Sequence, residues 1–126
     1  MSNQKVTFKL KTVDTVPLKI SIVIGPTIQG SITGHAIVRS KPEIRSFFER
    51  VEAGEFKDND KAMLQELYKG FDGLENEGGV YCEGDMAFDE ILTGKFSSYL
   101  TPAVIQAYYD HYGEARQGNF KGPRAR

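Results

Sequence analysis

The chain has 126 residues, 40% apolar and 26% charged, with one cysteine and a formal net charge of −1, the size and balance of one domain that can bury a core without staples. No apolar run approaches the roughly 18 to 20 residues that span a bilayer, and Met1-Ser2-Asn3-Gln4-Lys5 lacks the apolar centre of a secretory signal. The lone Cys82 cannot close an internal disulfide, so a reducing, cytoplasmic setting is expected.

The charge is unevenly spread. Residues 1–42 carry six Lys and Arg against one Asp (+5), residues 43–90 carry five against 14 acids (−9), and residues 91–126 carry five against two (+3). Such a split favours weak, salt-sensitive, head-to-tail self-association, or equally an ordinary solvated acidic face.

In chain order, Val6, Phe8 and Leu10 alternate with Lys5, Thr7, Lys9 and Lys11, the period of a half-exposed strand. Leu18–Ile24 repeats that period with heavy β-branching until Gly25-Pro26 ends it. Ser31–Arg39 makes a third run, interrupted at Gly34. A three-stranded antiparallel meander over residues 1–39 is expected, with a loop at 25–30.

Helices follow. Ser40-Lys41-Pro42-Glu43 is a capping box, after which Ile44, Phe47, Phe48 and Val51 keep helical spacing up to Gly54. Asp58-Asn59-Asp60 caps a second helix with Met63, Leu64, Leu67 and Tyr68 on one face. Asp85 is positioned to cap a short third one, with Phe88, Ile91 and Leu92 inward and Gly94 at its end. Thr101-Pro102 then starts the longest, along which Val104, Ile105, Tyr108, Tyr109 and Tyr112 form a broad apolar stripe. The fold class is therefore α+β: one domain over residues 1–117, β-rich over 1–39 and a bundle of about four helices over 40–117, followed by a mobile basic tail over 118–126.

Between the second and third helices, Leu67-Tyr68-Lys69-Gly70-Phe71-Asp72-Gly73-Leu74 reads as an elbow. Gly70 is the expected helix stop, since only glycine takes the left-handed conformation without a Cβ penalty. Phe71, flanked by Gly70 and Gly73, pins the elbow to the core, and the acidic turn Glu75-Asn76-Glu77-Gly78-Gly79 follows.

No motif demands catalysis, a cofactor or a metal. Cys82 with His35 or His111 supplies a thiol and a base in principle, yet a lone cysteine is more often a small core residue. His111-Tyr112-Gly113-Glu114 has ligand types without a second cluster. The acidic runs at Asp58 and Asp72 fail calcium-loop spacing. Gly25–Gly30 lacks the Lys and hydroxyl residue of a phosphate loop. The basic tail, with Phe120 as its one stacking ring, is too slight a footprint for nucleic acid.

Taken together, Val6-Thr7-Phe8-Lys9-Leu10-Lys11, the helix after Ser40-Lys41-Pro42-Glu43, the stretch Asp60 to Gly73, and Ala107-Tyr108 through Ala115-Arg116-Gln117-Gly118-Asn119 resemble the tail assembly chaperones of long-tailed bacteriophages over nearly the whole chain. Phe71 stands where similar sequences often carry Trp. The resemblance implies a non-enzymatic protein of the host cytoplasm that binds the helical tape measure protein, keeps it soluble and helps recruit tail tube subunits. The tube protein would be reached through a longer, frameshifted product, of which this chain would be the short form. A small phage-encoded accessory protein that binds and inhibits a host component has the same composition, and an enzyme would need a convergent polar cluster. A helical client calls for an apolar groove with a polar rim. With Val104, Ile105 and Tyr108 facing the core, the candidate partner-binding residues are Tyr109, Tyr112 and Arg116, unless the two tyrosines merely finish the core.

Overall fold

A computed structural model describes the backbone of residues 13–117 and the side chains of residues 13–112. The predicted strand at residues 5–11 and the predicted tail at 118–126 lie outside the described residues. The α+β class stands as expected: among the described residues there is one antiparallel three-stranded sheet and four helices.

Strands β1 (Thr15–Ile24) and β2 (Ile28–Ile37) form a hairpin with Ile24 opposite Ile28, Ile22 opposite Gly30 and Ile20 opposite Ile32. Gly25 opens the three-residue turn at φ +69, a value that suits glycine. Period-two alternation buries Ile20, Ile22, Ile32 and Ala36 on one face and leaves Lys19, Ser21 and Val23 on the other. Gly34, an interruption by sequence pattern, is required in β2. A Cβ there would lie 2.6 Å from the Tyr68 ring and 2.9 Å from the Ile20 Cδ1. Gly34→Ala is therefore expected to destabilise the fold by about 1 to 3 kcal/mol through overpacking. An unchanged denaturation midpoint would show that the Tyr68 ring does not cover this glycine.

The local signals that set the helices are short-range and mostly hold. In α1 (Lys41–Glu52) the Ser40 hydroxyl accepts from the Glu43 N–H at 3.3 Å, and the Glu43 carboxylate accepts from the Ser40 N–H at 2.8 Å. These contacts hold the Glu43 pKa below its ordinary value. In α2 (Asp60–Leu67) the Asn59 side chain accepts from the Ala62 N–H at 3.1 Å. Two starts differ from expectation. Helix α3 (Asp85–Thr93) begins after Gly84, at φ +55 and with no side-chain cap, so Asp85 is its first residue and acts through the helix dipole instead. Helix α4 (Ser97–Gln117) starts before Thr101-Pro102. A turn anchored by Phe96 and the buried Leu100 already carries the helix at that point, and the Thr101 hydroxyl instead donates to the Ile91 carbonyl at 2.7 Å, tying α4 to α3.

The elbow differs most. Tyr68–Asp72 is a strand, β3, antiparallel to β2 with Thr33 opposite Asp72, Gly34 opposite Phe71 and Ala36 opposite Tyr68. Tyr68 ends α2 in extended geometry (φ −134, ψ 144), so α2 stops because the sheet takes the chain, not because Gly70 turns left-handed. Gly70 lies inside β3 with no positive φ, whereas Gly73, just after β3, has φ +88 and fulfils the left-handed role. Phe71 is 3% exposed and anchors the core as expected.

The helices pack over the inward face of the sheet. A run of rings crosses the interior: Phe88 to Phe71 at 5.3 Å, Phe71 to Tyr68 at 4.8 Å, Tyr68 to Tyr108 at 5.7 Å and Tyr108 to Phe47 at 6.4 Å. The Tyr68 hydroxyl, buried among them, donates to the Val104 carbonyl at 2.7 Å. No helix among the described residues is long and apolar enough to cross a membrane.

Candidate binding groove

Sequence reasoning placed the partner-binding face on the second half of α4. Tyr109 is half-buried there, its ring edge-on to Phe48 of α1 at 4.9 Å. Tyr112, also half-buried, lies with its ring tilted against that of Tyr108 at 4.9 Å and donates its hydroxyl to the Ile37 carbonyl at the end of β2, 3.3 Å away. Burial pushes its phenol above the ordinary range. Both rings thus extend the core to its edge while keeping part of their surface in solvent. The Arg116 side chain lies outside the described residues.

The groups weighed for chemistry are not brought together into a reactive site. Cys82 is buried, its thiol 3.6 Å from the Val80 carbonyl, and desolvation followed by the nearby Glu90 carboxylate raises its pKa, which keeps it a protonated thiol. His35 meets Asp72 at 2.6 Å instead, a side-chain pair that fastens β2 to β3 at the sheet surface. His111 is exposed and lies against the Tyr112 ring at 4.5 Å. Among the described residues no group of three or more His, Cys, Asp or Glu side chains is placed to hold a metal ion.

The apolar groove is elsewhere, at the tip of the β1–β2 hairpin. Ile28 points to the same face as the buried Ile32, yet it is 55% exposed. Ile24, directly opposite, is half-buried. Beneath them pass residues 73–77 and the start of α4, leaving a cleft of about 410 Å³. Its floor is Ile22, Ile32, Leu74 and Leu100, its walls are Ile24, Ile28 and Phe96, and its rim carries Gln29, Asn76, Glu75, Glu77 and Glu90.

The acidic turn forming one side of the rim is fixed by its own backbone. The Asn76 side-chain oxygen accepts from the Gly78 N–H at 2.9 Å and the Val80 N–H at 3.0 Å. The Asn76 N–H donates to the Val80 carbonyl at 2.9 Å and the Cys82 N–H to the Leu74 carbonyl at 2.8 Å. Gly73 lets the chain leave β3 into this turn, and its N–H donates to the Tyr81 hydroxyl at 3.1 Å.

A second cleft of about 500 Å³ lies between β1 and α4, lined by Lys19, Ser21, Gln106, Asp110 and His111 beside Leu18, Ile20, Ala103 and Ala107. Its polar lining suits an apolar stripe less well than the hairpin groove. The sequence carries a signal for the groove, since Ile24 and Ile28 bracket a three-residue turn that places both on one face, although residues 25–30 read as loop by composition. No protein-family model matches the chain, and no curated protein or solved structure matches it.

Proposed function

We propose that the chain is a non-enzymatic assembly chaperone that shields an apolar helical client, specifically a tail assembly chaperone acting on the tape measure protein in the host cytoplasm. The observation that carries this reading is the hairpin groove, where Ile28 and part of Ile24, continuous with the buried core residues Ile22, Ile32, Leu74 and Leu100, stay uncovered inside a polar rim, a form that suits capture of one face of an amphipathic helix. The sequence resemblance supplies the identity of the client. On this reading a longer product, made by frameshifting in the coding DNA around residues 115–126, recruits the tube protein.

The test is co-expression with the tape measure protein of the same phage. The expected result is soluble, co-purifying client with the wild-type chain and insoluble client without it. Ile28→Asp, at an exposed position, is expected to lose the client while melting as wild type does. Client equally insoluble with and without the chain rejects the chaperone reading. If Tyr109→Ser/Tyr112→Ser loses the client with an unchanged melt and Ile28→Asp does not, the binding face is the second half of α4.

A further inference from the structure

The rim of the hairpin groove is predominantly acidic. Glu75 and Glu77 project from the turn after β3 and are exposed, while Glu90 comes from α3 on the other side. Lys95 pairs with Glu77 at 3.5 Å, both side chains being well exposed. No described Lys or Arg forms an ion pair with Glu75 or Glu90. Three carboxylates against one ammonium therefore border an aliphatic floor. The turn holding two of them is pinned by the Asn76 hydrogen bonds, so the backbone that carries them is set before any partner arrives.

We propose that this groove selects an amphipathic helix whose apolar stripe is flanked by Lys or Arg. The inference rests on the chaperone reading above and adds the client's charge to it. The stripe fills the space between Ile28, Leu74 and Phe96, and the flanking cations meet the rim. Charge at a rim acts mainly on choice of partner and on association rate, while the apolar contact supplies the bulk of the affinity.

The test uses two synthetic helical peptides of about 18 residues, roughly five turns, with one shared Leu stripe and either Lys or Glu on both flanks. Anisotropy with the full chain is expected to show the Lys peptide binding about threefold to tenfold more tightly at low salt, as two or three exposed ion pairs allow. The advantage should shrink as salt shortens the screening length. Glu75→Lys/Glu77→Lys, at exposed positions, should reverse the preference with an unchanged melt. Equal affinities, no binding of either peptide, or a preference that survives the reversal would each overturn the proposal. So would displacement of the Lys peptide by a low concentration of a peptide of residues 118–126, which would assign the groove to this protein's own C-terminal segment. Capture of the tape measure protein that is indifferent to Glu75→Lys/Glu77→Lys leaves the chaperone reading standing and rejects the charge selection alone.

Discussion

Phe71→Ala is expected to lose about 3 to 5 kcal/mol of folding stability, the range for removing a buried aromatic ring. The ring is 3% exposed and sits between Tyr68 at 4.8 Å and Phe88 at 5.3 Å, so it joins β3 to α3 in the middle of the aromatic run. Tyr68 cannot move in to fill the space, because its ring is trapped over Gly34 and its hydroxyl is fixed to Val104. A cavity of nearly full size therefore remains, and the cost belongs in the upper part of the range. Against a total stability of about 5 to 15 kcal/mol for a domain of this size, a loss near 5 kcal/mol removes a third or more of the total, and at the bottom of that range leaves about half of the variant unfolded. Urea denaturation of wild type and variant measures the difference, and coincident midpoints would remove Phe71 from the core.

What was legible in the sequence was local. The capping box at Ser40 to Glu43 needs only four consecutive residues, and both of its reciprocal hydrogen bonds are present. The hairpin faces follow from period two. What stayed hidden depends on distant partners. Leu67 and Tyr68 continue the apolar spacing of Met63 and Leu64, so pattern alone extends the helix. Yet Tyr68 leaves it in extended geometry to pair with Ala36, 32 positions earlier in the chain. The same pairing explains Gly34, whose missing side chain makes room for a ring that arrives from another strand. Gly73 rather than Gly70 takes the left-handed turn because β3 occupies the intervening residues.

The candidate site divides in the same way. The aromatic stripe of α4 is plain in the sequence, but its periodicity does not reveal that Tyr112 donates to Ile37 while Tyr109 meets Phe48. The groove was missed because Ile28 follows a Gly-Pro turn and reads as loop.

Arg39→Ala is the second large effect expected, about 2 to 3 kcal/mol, below the roughly 3 to 5 kcal/mol for breaking a fully buried pair because Glu66 remains partly solvated. The Arg39 side chain is 13% exposed, just beyond β2, and its guanidinium reaches three elements at once. It donates to the Glu66 carboxylate at 2.7 Å and to the Glu66 main-chain carbonyl in α2, donates to the Tyr108 hydroxyl of α4 at 2.9 Å, and covers the Phe47 ring of α1 at 5.0 Å. Tyr108 retains its bond to the Ile37 carbonyl at 3.1 Å when Arg39 is gone, and Glu66 retains Arg50 at 3.2 Å. The Glu66 carbonyl loses a charged donor, and Phe47 loses its cover. Lysine restores only part of this, since one ammonium cannot present a planar fork to a carboxylate, a carbonyl and a hydroxyl together. A double-mutant cycle in urea with Glu66→Gln isolates the pair between the Arg39 guanidinium and the Glu66 carboxylate. Coupling above about 0.5 kcal/mol is expected, and additivity within that margin would mean that the Glu66 carboxylate adds nothing and that Arg39 acts through the Glu66 carbonyl, Tyr108 and Phe47. Because the pair is largely sheltered, the coupling should persist at high salt, unlike the peptide preference at the exposed rim of the groove.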